Sequence, residues 1–196
     1  MNIFEVIESG DLESLKKLVS GGANVETKDE WGDTPLNLAS EFGHLEIAKY
    51  LIEKCNANVE ARNKDGRTPL IYASGYGHLE IVKYLIEKHN ANVEAKDEWG
   101  DTPLISASMY GNLEIVKYLI EGCNVNVETK NKYKHTPLFY ASLEGHLEIV
   151  KYLIEKGANY EELLERLERK DNANERDQLE KMILEVADTR VKFITS

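Results

Sequence analysis

The sequence predicts an all-α repeat solenoid, in which helix–turn–helix units are joined by short β-hairpin loops and followed by a C-terminal helical segment. Three observations predict it. Thr-Pro-Leu recurs at 34–36, 68–70, 102–104 and 136–138, always 34 residues apart. A second block keeps the same phase: GHLEIAKYLIE from Gly43, GHLEIVKYLIE from Gly77, GNLEIVKYLIE from Gly111 and GHLEIVKYLIE from Gly145. The string KDEWGDTPL stands at both 28–36 and 96–104, two repeats apart, which suggests duplication of a double unit.

Within a unit, each residue type has a physical role. Thr34 is a good helix N-cap, and Pro35 occupies the first helical position, where a missing N–H costs nothing. Leu36 and Ala39 then share one helical face. Gly43, like Gly77, Gly111 and Gly145, ends this short helix. The slot that follows (His44, His78, Asn112, His146) starts the second helix, and Asn suits an N-cap. Leu45, Ala48, Leu51 and Ile52 form the expected buried stripe. A polar stretch such as NANVEARNKDGR leads to the next unit. One helix pair cannot bury its apolar face alone, so stability must come from stacked neighbours.

The repeat stops before 170–172, where the chain reads Lys170-Asp171-Asn172. Tyr160 to Lys170 is predicted helical, with Leu163, Leu164 and Leu167 on one side and the pairs Glu162/Arg166 and Glu165/Arg169 along it. Leu179, Met182, Ile183 and Val186 predict another helix. The chain therefore divides into a repeat array at 1–160 and a C-terminal helical cap or appendage at 161–196. A cap is favoured over a dimerising or partner-binding pair, because an open solenoid end needs covering. The ending VKFITS fits neither reading.

Composition narrows the function. A chain of 196 residues with 42% apolar and 30% charged residues is ordinary for a globular protein. Its formal net charge of −11 disfavours DNA or RNA as partner. No segment approaches the roughly 20 apolar residues of a membrane span. The opening MNIFEVIESGDLESL lacks the basic start of a signal peptide. Cys55 and Cys123 make neither a disulfide framework nor a metal cluster, so a cytoplasmic setting is expected, with the nucleus also open. His44, His78 and His146 recur on stacked helices roughly 8–10 Å apart, too far for shared zinc ligation. G-x-S-x-G, H-E-x-x-H, Walker and G-x-G-x-x-G motifs are all missing, so no enzyme, metal or cofactor is expected.

Asp29-Glu30-Trp31-Gly32-Asp33-Thr34-Pro35-Leu36 and its later copies, together with the GHLEIV blocks, resemble the ankyrin repeat. The resemblance covers roughly residues 1–160. The opening IFEVIESGDLESLKKLVSGGANV lacks the Thr-Pro-Leu half and looks like an N-terminal capping repeat, giving five units. Three departures stand out. The consensus His after Thr-Pro-Leu is Asn37, Ile71, Ile105 and Phe139 here, so the loops that this His ties together in the family need another tie. Cys55-Asn56, His89-Asn90 and Cys123-Asn124 replace the helix-ending Gly, with one inserted residue and Asn suited to the left-handed cap. Lys134 stands where Gly is expected in the fourth hairpin, a strained position for a side chain.

The resemblance implies L-shaped units whose hairpins and first helices line a concave protein-binding surface. The residues expected there are Trp31, Asp33, Arg67, Trp99, Asp101, Tyr133 and His135 at the hairpin tips, and Phe42, Tyr76 and Tyr110 at the ends of the first helices. Trp, Tyr and Arg are enriched in binding hot spots. The rival reading lays each Trp flat on the neighbouring hairpin as a stiffener. A ladder of Lys28, Arg62, Lys96 and Lys130 either meets acidic partner groups or, as we favour, neutralises Glu26, Glu60, Glu94 and Glu128. Tyr50, Tyr84, Tyr118 and Tyr152 are expected to pack with a polar tip, not to form a second binding face. The expected function is a non-catalytic scaffold or adaptor for a protein partner, with a monomer favoured over a homo-oligomer. The alternatives are a structural protein that oligomerises through its C-terminal helices, and the targeting part of a larger effector or enzyme.

Overall fold

The computed structural model describes residues 2–161 together with Lys181 and Ile183. The helices expected at 160–170 and 179–186 thus lie almost wholly outside the described residues. Ile183 itself is fully buried and joins the hydrophobic core of the array.

The first helix pair is α1 (Ile3–Glu8) and α2 (Leu12–Ser20). Asn2 starts α1 with a reciprocal box, its side chain accepting from the Glu5 N–H while Glu5 accepts from the Asn2 N–H. Four further pairs follow: α3 (Pro35–Glu41) with α4 (Leu45–Cys55), and α5 (Pro69–Tyr76) with α6 (Leu79–His89). Then come α7 (Pro103–Met109) with α8 (Leu113–Lys117), and α9 (Pro137–Leu143) with α10 (Leu147–Glu155). Each of α3, α5, α7 and α9 opens on the expected threonine, whose hydroxyl accepts the N–H three residues on: Asn37, Ile71, Ile105 and Phe139. α8 widens into a π turn at Tyr118–Gly122. Gly122 replaces the lysine of the other copies there, and a Cβ on it would sit 3.2 Å from the Tyr118 ring.

The helices form two layers. α1, α3, α5, α7 and α9 stack in sequence as the inner layer, and the second helices line up behind them. An inner helix is covered on both sides and from behind, so Leu36 through Ser40 are all buried, not merely one face. In the second helices the buried stripe is Ile47, Ala48, Leu51 and Ile52, with Leu45 only half-buried at the helix start. Leu51, Leu85, Leu119 and Leu153 are equivalent and fully buried, each worth about 1.5–3 kcal/mol.

The slot before each second helix has a different side-chain role from the one expected. His44, His78, Asn112 and His146 do begin these helices, but none caps its own helix. Their side chains reach back one unit, to carbonyls at the end of the preceding first helix. His44, His78 and His146 place Nε2 at 3.3, 2.7 and 3.0 Å from the carbonyls of Glu8, Glu41 and Met109. Asn112 donates to the carbonyls of Ser74 and Gly75. These are orphan acceptors of a helix C-terminus, satisfied by the neighbouring repeat.

Asn56, Asn90 and Asn124 take the left-handed conformation, with φ of 58°, 52° and 55°, and so replace the usual glycine. At the hairpin tips the same conformation falls on Gly32, Gly66, Gly100 and, in the fourth, Lys134 at φ 63°. Two constraints act on the first three. A Cβ on Gly32 or Gly100 would also come within 2.9 Å of the backbone nitrogen of Lys64 or Lys132 in the next hairpin. At Lys134 a side chain meets the φ constraint itself. Lys134→Gly is therefore expected to raise stability by about 1 kcal/mol, readable as a higher denaturant midpoint at unchanged slope. Gly32→Ala, facing both constraints, should lower it by more than that.

Candidate binding surface

The loops between the helix pairs project as tight hairpin turns, with no strand among the described residues. Residue one of each tip is Asp or Asn, and its side chain closes the turn. Asp29 Oδ1 accepts from the N–H groups of Trp31 and Asp33, and Asp97 Oδ1 from those of Trp99 and Asp101. Asn63 and Asn131 do the same for residues 65 and 67 and for residues 133 and 135. This is the Asx turn, which suits a short polar side chain beside its own backbone.

Successive tips are joined backbone to backbone. Lys64 N–H donates to the Trp31 carbonyl at 3.0 Å, Glu98 N–H to Asp65 at 2.7 Å and Lys132 N–H to Trp99 at 2.9 Å. The basic ladder adds a second row. Lys28 Nζ donates to the Arg62 carbonyl, the Arg62 guanidinium to that of Lys96, and Lys96 Nζ to that of Lys130. These cations therefore stitch neighbouring loops through carbonyls instead of neutralising the glutamates. Glu26, Glu60 and Glu128 instead accept backbone N–H groups of Asn58, Asn92 and Asn159 in the following loop. Such bonds hold the loops where the consensus histidine is missing. Asn37 adds only long contacts of 3.4 Å to the Ala61 and Arg67 carbonyls.

The expected contact residues divide into two groups. Trp31, Phe42, Tyr76, Trp99, Tyr110 and Tyr133 are exposed, from 36% for Trp99 to 63% for Trp31. Trp99 is the most covered because the Arg67 guanidinium lies 5.4 Å from its ring centre. Arg67 also faces Asp97 at 3.9 Å and the Tyr72 ring at 5.9 Å. Arg67, Tyr72, Tyr76 and Tyr110 line one shallow depression between hairpin two, α5 and α7. His135 is half-buried, stacked 3.8 Å from the Phe139 ring.

Asp33 and Asp101 correct the expectation. Only 4% and 7% exposed, they lie beneath the tips and offer nothing to a partner directly. Asp33 Oδ2 accepts from the Tyr72 hydroxyl at 3.1 Å, and that oxygen accepts in turn from Asn63 Nδ2 at 2.9 Å. Asp101 Oδ1 accepts from Asn131 Nδ2 at 2.8 Å, which also reaches the Tyr140 hydroxyl at 3.0 Å. The same three residue types meet in both places, one double unit apart. Sequence reasoning missed Tyr72, Tyr140, Asn63 and Asn131, although the twofold occurrence of KDEWGDTPL carried the signal.

Burial pushes the Asp33 carboxyl up to about 6, helped by the negative charges of Asp29 and Glu41 and opposed by the Tyr72 hydrogen bond. Its Oδ1 is buried without a hydrogen-bond partner. Asp97 and Asp101 are raised too, again chiefly by burial. At Tyr76, burial and the neighbouring Glu41 push the phenol up to about 12.

On the second helices, Tyr50, Tyr84, Tyr118 and Tyr152 pack against the core, as expected of them. The Tyr84 and Tyr118 hydroxyls donate back to Glu53 and Glu87 of the preceding repeat. Cys55 and Cys123 are half-buried free thiols, raised by burial. Among the described residues, no three His, Cys, Asp or Glu side chains gather closely enough to hold a metal ion. None of the described helices is long and apolar enough to cross a membrane.

The Asp33 site gives a pH prediction. A carboxyl whose folded value is raised binds its proton more tightly in the folded chain. Its stabilising share is full below about pH 4 and is lost as pH rises through about 6. Between these limits Asp33→Asn should gain on the native chain by on the order of 1–2 kcal/mol, measured by urea unfolding at each pH. A constant difference would show that Asp33 is not the titrating group.

Comparison with known proteins agrees with this geometry. The family model described as ankyrin repeats (3 copies) matches residues 3–97 and 89–163. Mouse protein phosphatase 1 regulatory subunit 27 is 46% identical over 50 residues, 26% of this chain and 32% of that protein. Human cyclin-dependent kinase inhibitor 2A is 37% identical over 49 residues, 25% of this chain and 31% of that protein. Bovine protein fem-1 homolog A is 34% identical over 58 residues, 27% of this chain and 9% of that protein. The matched segments thus span less than a third of either regulatory protein's length. With the family model covering most of its length, and every unit joined to the next through its hairpin, the chain belongs to the ankyrin-repeat family.

Proposed function

We propose that this chain is a non-catalytic scaffold or adaptor that holds a protein partner against its hairpin tips and first-helix ends. The exposed row Trp31, Phe42, Tyr76, Trp99, Tyr110 and Tyr133 carries the reading. Burying large rings is favourable by about 25 cal/mol per Å², and these rings remain in water on a chain with ample interior. Trp and Tyr also lose few torsional degrees of freedom on binding, which suits them as anchors. The rival role for the tryptophans, lying flat as stiffeners, fits Trp99 under Arg67 in part and Trp31 not at all. Two relatives are named as a regulatory subunit of a phosphatase and an inhibitor of a kinase, both roles played by binding another protein. A reducing cytoplasmic or nuclear setting fits the two free thiols.

The capping role of residues 161–196 belongs to the same proposal. Its support is Ile183, buried in the core shared with α10. A segment used for self-association would keep such a side chain for a second copy. Ile183→Asp is expected to lower stability by about 3 kcal/mol, since it strands a charge in apolar surroundings. An unchanged denaturant midpoint would remove the capping role.

The partner surface is tested by affinity capture, comparing the native chain with Trp31→Ala/Trp99→Ala shown folded by circular dichroism. A partner retained by the native chain and lost by the variant is the expected result. Equal retention by both would move the site away from the hairpins.

A further inference from the structure

Gly75 is a glycine that its backbone does not call for. It lies inside α5 with an ordinary helical φ, unlike Gly77, which ends that helix at φ 86°. Space does not demand it either. A Cβ on Gly75 would meet nothing closer than the Tyr110 ring at 3.4 Å, an ordinary contact. The other units carry Glu41, Met109 and Leu143 at the same position. Any of these is a better helix former than glycine, so the array gives up stability here. What the missing side chain leaves is room. Between α5 and α7 it opens a notch walled by the Tyr76 and Tyr110 rings, 54% and 57% exposed. Arg67, Tyr72 and the buried Ile71 and Ser106 complete the lining, so the notch is built from hairpin two, α5 and α7 alone. A position that forgoes stability without steric need is of the kind kept for function.

The charges around the notch are unevenly answered. Arg67 is held between the Trp99 and Tyr72 rings, with Asp97 at 3.9 Å and Asp101 near enough to feel its charge. Glu41, at the end of α3, stands at the Tyr76 hydroxyl and adds like charge to Asp33. Among the described residues, no lysine or arginine pairs with this half-buried carboxylate. Glu13, Glu46, Glu80, Glu114 and Glu121 each have a lysine.

We propose that the Gly75 notch receives an apolar side chain from a linear segment of the protein partner, and that a Lys or Arg one or two residues away in that segment meets Glu41. This rests on the reading of the hairpin tips and first-helix ends as the partner surface, and adds the chemistry of what binds there. The local charges select the occupant. A cation inside the notch would meet Arg67, while a carboxylate would compete with Asp97 for Arg67 and face Glu41, on a chain of net charge −11. An uncharged group avoids both costs. Apolar matter set between the two phenol rings also removes both from water while leaving their hydroxyls at the rim. Glu41, lacking a cation of its own, then favours one beside the notch.

The probe is a displayed library of short random peptides, panned over the immobilised full chain. Enriched peptides should carry Leu, Met or Phe within two residues of Lys or Arg. A labelled copy of the strongest is then titrated by fluorescence anisotropy against the native chain, Gly75→Met and Glu41→Gln. Gly75→Met fills the notch with the side chain that the next unit carries, so its denaturant midpoint should stay level or rise while affinity falls roughly tenfold. Glu41→Gln should weaken binding roughly three- to fivefold and flatten its salt dependence. Enrichment of acidic peptides, or none at all, would overturn the inference, as would equal affinity of Gly75→Met and the native chain. A lower midpoint in Gly75→Met would mean that the chain's own residues fill the notch, and would overturn it too. Self-association seen by light scattering and abolished by Gly75→Met would assign the notch to a second copy instead. Binding that survives Gly75→Met but is lost in Trp31→Ala/Trp99→Ala would overturn the notch and leave the wider strip standing.

Discussion

The backbone bond from each hairpin to the one before it sets the geometry on which the rest depends. Lys64 N–H can reach the Trp31 carbonyl only because Gly32 leaves the space, and Lys132 reaches Trp99 over Gly100 in the same way. Once the tips are in register, everything behind them falls into register too. The Glu26 carboxylate meets the Asn58 N–H, Lys28 the Arg62 carbonyl and His78 the end of α3. Polar groups that one repeat leaves bare are met by its neighbour, so folding and stacking are one event. The apolar core supplies the driving force, but the polar contacts fix the spacing.

The period of 34 residues, the threonine caps, the helix-ending glycines and the asparagine turns were all legible, because each depends on a residue and its chain neighbours. Lys134 was legible for the same reason, since left-handed φ is a local demand. The exposed aromatics followed from their phase within the unit. Contacts between repeats were not legible. His78 reads as a helix start until its ring is seen on the Glu41 carbonyl, and Lys28 reads as a counter-charge for Glu26 until its reach to Arg62 is seen. Asp33 and Trp31 are two residues apart on one tip, yet one is buried and the other exposed. Only the position of Tyr72, in the next repeat, explains the difference. Phase within a unit tells which side of the array a residue is on, but not what the adjacent unit places over it.

Burial of Asp33 and Asp101 changes the character of the binding strip instead of reducing it. Each carboxylate anchors the loop that presents a tryptophan, through a tyrosine or asparagine of the following unit. A side chain held on a braced loop loses less freedom when a partner covers it than one on a loose loop. The acidic residues thus serve the aromatic ones through rigidity.

The tyrosine–asparagine–aspartate clusters have a consequence for how such an array can change length. The aspartate of each cluster lies in hairpin one or three, while the asparagine lies in hairpin two or four and the tyrosine in the first helix after it. Excising the unit of hairpin two would set hairpin three beside hairpin one, bringing Asp97 and Ser106 to the places of Asn63 and Tyr72 and leaving Asp33 without its hydroxyl partner, while Asp101 kept Asn131. Excising or copying a pair, from Lys28 to the equivalent Lys96, would keep every partner. The heritable module of this protein is thus a couplet, and growth or loss by odd steps carries an electrostatic penalty that even steps avoid.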